Sequence, residues 1–135
     1  MELVSTADAR AQLRLDDAGS AGGPDDVWLS IWIPATSEAV RSWLKDDARL
    51  YVPLRDSAGD IMRDSAGDPI PQEDSNGPVV NPSVRAAVLI ELASQFRFRE
   101  GEGKDNVVPA DAGHGYILSK AATAILSGIR KSTVA

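Results

Sequence analysis

The stretch from Val27 to Leu44 constrains this chain more than any other. Trp28, Trp32, Ala35, Ala39 and Trp43 recur at helical spacing, with Leu29, Ile33, Val40 and Leu44 beside them. Pro24 followed by Asp25 and Asp26 suits a helix start, so a long helix over about residues 25–46 is expected. Val27, Leu29, Ile31 and Ile33 also alternate as a strand would, but no turn chemistry or partner strand lies nearby, and helix is the favoured reading. Pro34 lacks an N–H and leaves the Ser30 carbonyl without its partner, so a kink or break is expected there.

Between Val27 and Ile33 only Ser30 interrupts the apolar run. A surface helix in a monomer needs one apolar stripe, and a chain of 135 residues has little with which to cover both sides of this one. One face is therefore expected to meet another subunit, with Trp28, Ile31, Trp32 and Trp43 as the candidate interface residues. Tryptophan suits such a place because it removes a large apolar area from water. For any single tryptophan, burial in the chain's own core is the competing reading.

The remaining segments read as three further helices and an insertion. Residues 4–15 predict a short helix with Ser5 as N-cap and Asp8 as the acidic member of a capping box, Ala9 and Leu13 facing inward. Asn81 and Pro82 open a third helix with Val84, Val88, Leu92 and Phe96 as its stripe, Leu89 and Ala93 widening it, and Glu91, Ser94 and Arg97 on the other side. A last helix over about 115–129 is expected to carry Ile117, Ala121, Ile125 and Ile129 on one face, with Leu118, Ala122 and Leu126 adjoining. Between helices two and three, residues 49–54 look like a strand. Then Arg55-Asp56-Ser57-Ala58-Gly59-Asp60-Ile61-Met62 is echoed by Arg63-Asp64-Ser65-Ala66-Gly67-Asp68-Pro69-Ile70. Each copy places Asp, Ser and Gly where a tight turn wants them, which predicts one or two hairpin tips or a long loop. The expected fold is mainly α, a single small four-helix domain over 1–135. A long β-hairpin or disordered insertion lies between helices two and three, and a flexible tail covers about 131–135.

Composition narrows the function. No cysteine is present, so disulfides and thiolate metal sites are excluded, which suits synthesis in a reducing cytoplasm. Residues 1–5 lack the basic region and apolar run of a signal peptide, and no stretch approaches the roughly 20 apolar residues of a membrane span. The net charge of −6 is uneven. Residues 1–48 carry four basic and nine acidic side chains (net −5), residues 49–81 three and six (net −3), and residues 82–135 seven and five (net +2). Such a balance does not hold nucleic acid by phosphate neutralisation.

Catalytic machinery is not expected. His114, the only histidine, sits between two glycines at the mouth of the last predicted helix and reads as a capping or solvated residue. Asp111 and Ser119 are near it in sequence, but nothing predicts the spatial convergence a triad needs. Asp16-Asp17, Asp25-Asp26 and Asp46-Asp47 fall at helix ends or turns, and neither Asp-Ser-Ala-Gly copy has the ligand ladder of an EF-hand. Gly101-Glu102-Gly103-Lys104 lacks the strand, spacing and hydroxyl residue of a phosphate loop. No catalytic residue, metal site or cofactor is therefore predicted.

The order of these segments resembles a known family. A short helix from Ser5-Thr6-Ala7-Asp8-Ala9-Arg10-Ala11-Gln12-Leu13-Arg14-Leu15-Asp16 leads into Asp25-Asp26 and the long helix. A third follows from Asn81-Pro82-Ser83-Val84-Arg85-Ala86-Ala87-Val88-Leu89-Ile90-Glu91-Leu92-Ala93 to Phe96-Arg97-Phe98-Arg99-Glu100, and Tyr116-Ile117-Leu118-Ser119 and Ile129-Arg130 close the chain. Over residues 1–46 and 81–131 this looks like the head-tail connector, or adaptor, proteins of long-tailed bacteriophages. The resemblance implies a small helical subunit of a homo-oligomeric ring, commonly of twelve, at the virion neck, assembled in the host cytoplasm. It implies docking on the portal protein, a platform for a neck or tail-completion protein, and a channel that DNA passes without sequence-specific binding. By the same resemblance the tail residues Arg130, Lys131 and Val134 are candidate portal contacts. The insertion exceeds the family's minimal link, and Tyr51, Arg55, Ile61, Arg63 and Ile70 are candidates for reaching a neighbouring subunit or ring. The alternative is a small helical binding or regulatory module that forms dimers.

Overall fold

The computed structural model describes residues 1–15, 24–99 and 118–132. Among these, four helices form: α1 (Thr6–Gln12), α2 (Pro24–Leu44), α3 (Pro82–Arg99) and α4 (Lys120–Leu126). The fold is mainly α, with a β-rich arm between α2 and α3. Helix α3 lies at the centre, packed against the other three.

The capping box of α1 forms as its residues dictate. The Ser5 hydroxyl accepts from the Asp8 N–H at 3.1 Å, and the Asp8 carboxylate accepts from the Ser5 N–H at 3.4 Å. Ala9 is fully buried and Leu13 packs against the core. Arg10 reaches Asp26 of α2, and Asp8 reaches Arg85 of α3, so α1 is tied to both neighbours.

Of the kink or break expected at Pro34, the break does not occur: helix α2 runs on through it. Ser30, whose carbonyl the proline leaves unpaired, is exposed, so water can serve it. Hydroxyls flank the site as well: Ser30 donates to the Val27 carbonyl and Thr36 to the Trp32 carbonyl, each at 2.7 Å. The buried stripe of α2 is Leu29, Ile33, Val40 and Leu44. Thr36 and Ser37 are buried with it, the Ser37 hydroxyl accepting from the Leu3 N–H at 3.0 Å.

Asn81 caps α3 by accepting from the Ser83 N–H at 3.0 Å, with Pro82 in the first turn. Val84, Ala87, Val88 and Leu92 complete the core with Leu118, Ala122 and Leu126 of the α4 segment. Each buried aliphatic chain stabilises the fold by about 1.5–3 kcal/mol relative to exposure. Two sequence readings need correction here. Glu91, expected on the outer side of α3, is buried, and its carboxylate accepts from the Ser119 N–H at 3.0 Å. In α4 the inward row is Leu118, Ala122 and Leu126; Ala121 and Ile125 are exposed and Ile129 is partly buried. The two rows are equally apolar and one residue apart, so periodicity alone does not separate them.

After α2, a 3₁₀ turn (Asp47–Leu50) leads into the arm, residues 51–80. Its named strands are only β1 (Glu73–Asp74) and β2 (Gly77–Pro78), yet its backbone is closely bonded. Leu54, Met62 and Ile70 form a closed triangle. Leu54 donates to Ile70, Ile70 to Met62 and Met62 to Leu54, at 2.8–2.9 Å. A second triangle joins Val52, Val79 and Gln72 in the same manner. The eight-residue echo is thus the geometric period of the first triangle.

Three turns cap this arm, one more than expected. Asp56, Asp64 and Asp74 accept from the N–H two residues on, at 2.9, 2.9 and 2.8 Å. Gly59, Gly67 and Gly77 follow at φ +85°, +84° and +106°, a region that disfavours any side chain. The third turn, Asp74-Ser75-Asn76-Gly77, escapes the sequence echo because it begins ten residues after Asp64 rather than eight.

Candidate assembly surfaces

Three tracts of surface collect the candidate residues. On α2, Trp28 and Trp32 stack at 5.7 Å between ring centroids, and Phe96 of α3 meets Trp28 edge-on at 5.4 Å. Both tryptophans are half-buried against the core. The outward residues are Val27 and Ile31, 56% and 62% exposed and one helical turn apart. Of the candidate interface residues on this part of α2, Ile31 faces solvent, while the two tryptophans are half-covered by the chain itself. Val27 was not singled out by sequence reasoning, although its i, i+4 spacing from Ile31 was available as a signal.

Trp43 lies at the far end of α2 and faces different company. The Arg130 guanidinium sits 4.4 Å over its ring, and the Arg130 Nε donates to the Trp43 carbonyl at 3.1 Å. The Lys131 N–H donates to the Leu44 carbonyl at 3.2 Å. The tail expected to be loose is therefore docked through Lys131. The last carbonyls of a helix lack internal partners and attract donors and cations, and this segment supplies both. Val134 lies outside the described residues.

The arm presents Leu54 and Met62, 37% and 40% exposed, from its outer triangle. Arg55 and Arg63 are exposed, but each donates to its own turn, at the carbonyls of Gly59 (2.8 Å) and Gly67 (2.9 Å). Tyr51 sits at the base, bridged to Val80, and Ile61 and Ile70 are half-buried. An open groove of about 410 Å³ separates the arm from the body, with Tyr51, Ile61 and Pro69 on one wall and Arg49 and Ile129 on the other. Arg49 donates to the Ile129 carbonyl at 2.9 Å. The sequence candidates are thus spread over the arm and not gathered into one site.

Electrostatics are local. A hydrogen bond from Arg41 holds the Asp47 carboxyl below its usual range and raises the Arg41 guanidinium in turn. For Asp8, burial pushes upward, but hydrogen bonds from Ser5 and Arg85 outweigh it and hold the carboxyl low. Among the described residues no group of three or more His, Asp or Glu gathers as metal ligands would. Ser119 is the N-cap of α4, its hydroxyl accepting from the Ala122 N–H at 3.2 Å. Asp111, His114, Asp16, Asp17 and the Gly101-to-Lys104 segment lie outside the described residues. No helix is long and apolar enough to cross a membrane among those described. Comparison with family models, with curated proteins and with solved structures finds no match to this chain.

Proposed function

We propose that this protein is a structural subunit that assembles into a ring, as a head-tail connector joining the portal vertex of a phage head to the neck and tail. The observation that carries the reading is the Val27–Ile31 step on α2, more than half exposed in a single copy and flanked by the stacked Trp28 and Trp32. Covering two such aliphatic side chains favours association by about 25 cal/mol per Å² of apolar surface removed from water. Repeated around a closed ring, modest contacts of this kind add up, and many weak contacts to a portal add in the same way. The order of a short capped helix, a long helix, an arm and two further helices supports the same reading by resemblance. The work of such a subunit is mechanical: to close, to dock and to extend a channel. The acidic balance of the chain would keep passing DNA from adhering to it.

In this reading the arm reaches a neighbouring subunit or the adjoining ring. Negative-stain microscopy of the purified protein, alone and with a portal, tests the proposal: rings that cap the portal are expected. Uniform small particles that ignore the portal would overturn it, and dimers would favour the regulatory module. Deleting residues 55–70 tests the arm, since normal rings and normal portal docking without them would remove its role.

A further inference from the structure

The third turn of the arm holds a pair of residues that the assembly reading does not use. Asn76 and Gly77 sit at the tip of the β1–β2 hairpin, where Asp74 faces Gly77 across Ser75 and Asn76. Asn76 is exposed, and its carboxamide makes no hydrogen bond among the described residues. Only its backbone N–H is held, by the Asp74 carboxylate at 2.8 Å. Gly77 carries no side chain, and even a methyl group placed on it would meet nothing within 4 Å. The strands that hold this tip are two residues long each, so opening it locally costs little. The other described asparagine differs on both counts. The Asn81 side chain accepts from the Ser83 N–H at 3.0 Å, and Pro82, which follows it, has no N–H.

We infer that Asn76–Gly77 is a site of spontaneous covalent modification, at which the arm converts its own asparagine to aspartate and isoaspartate. Asparagine is a thermolabile residue because its carboxamide carbon is open to attack by the amide nitrogen of the next residue. Here the Gly77 nitrogen gives its proton to water and bonds the Asn76 side-chain carbon. The bond from that carbon to the side-chain nitrogen breaks, and ammonia leaves with a proton returned by water. The cyclic imide then takes up one water molecule. Opening at the side-chain carbonyl gives aspartate, and opening at the main-chain carbonyl gives isoaspartate. One amide is hydrolysed and no electrons change hands, so water, which the exposed turn admits, is the only co-reactant. A side chain on the following residue hinders this closure and a proline forbids it, so glycine is the most permissive neighbour. The products bear on the arm. Either one adds a negative charge beside Glu73 and Asp74, and isoaspartate lengthens the main chain by one carbon in a loop that sets Asp74 opposite Gly77. The next bond along, from the Val79 N–H to the Gln72 carbonyl at 2.8 Å, belongs to the second triangle and is the first to feel the change. The inference stands apart from the ring reading.

Intact protein kept in warm neutral buffer, sampled over weeks and digested with trypsin, tests this. The peptide from Asp64 to Arg85 should gain the mass of an amide turned to an acid, with fragmentation placing the change at Asn76. An isoaspartyl methyltransferase should label the same peptide. Asn76→Ser keeps a small turn residue and has no carboxamide to lose, so its peptide should stay unlabelled. Amide exchange at Val79 should quicken in the aged natural chain and not in the aged variant. A folded chain that keeps Asn76 unchanged, while the same segment as a free peptide converts, would overturn the inference, because the fold would then shield the pair. Conversion confined to Asn81 or Asn106, or equal labelling of Asn76→Ser, would overturn it as well.

Discussion

At the scale of single residues, two carboxylates hold the helices in place. Glu91 is buried among apolar side chains and meets the N-cap residue of α4. Replacing it with Ala leaves the Ser119 N–H without its acceptor, so Glu91→Ala should lower stability by about 1–3 kcal/mol in urea titrations. Glu91→Gln, which keeps an acceptor, should lose less; equal losses would contradict this role. Asp8 serves the capping box and the Arg85 pair, and its carboxyl is held below the usual range. A depressed folded-state value stabilises above the unfolded value of about 3.9 and is lost as pH falls through the folded one. Asp8→Asn should therefore cost about 1 kcal/mol at pH 7 and progressively less below about pH 4. The α1 capping residues could be read from the sequence because a cap is a local pattern. The burial of Glu91 could not, because its partner lies 28 residues away beyond a segment with no signal of its own.

At the scale of elements, strain sits where backbones turn. Lys45 follows α2 at φ 63°, a left-handed conformation that glycine adopts without steric cost. Lys45→Gly should raise stability by about 1 kcal/mol, read from the thermal midpoint; a loss would mean that the lysine side chain contributes more than the backbone costs. In the arm, a methyl group at Gly67 would meet nothing within 4 Å, so any penalty there is backbone alone. Gly67→Ala should cost about 1–2 kcal/mol within the arm and speed amide exchange at Met62 and Ile70, with exchange in α3 unchanged. The duplicated Asp-Ser-Ala-Gly made two of the three turns legible. Closure into triangles was not, because it depends on backbone bonds at Ile70 and Gln72, which lie among Pro69 and Pro71, where the sequence carries no strand pattern. At Pro34 the choice between a kink and a break was not legible for a related reason: whether a proline breaks a helix depends on which side its orphaned carbonyl faces, and that is fixed only once the helix docks.

At the scale of the molecule, the long helix was legible from its period, but the division of its residues between core and surface was not. Two apolar rows compete for the core, and the aliphatic row Leu29, Ile33, Val40 and Leu44 takes it, leaving the tryptophans half-covered and Ile31 in water. That exposed step is the ground for the proposal that copies of the chain share this face. Sedimentation velocity and native mass measurement of the intact protein beside Ile31→Asp test this most directly. A closed assembly of many copies is expected for the natural chain and a folded monomer for the variant. A natural chain that stays monomeric at high concentration, or a variant that assembles as well as its parent, would contradict it.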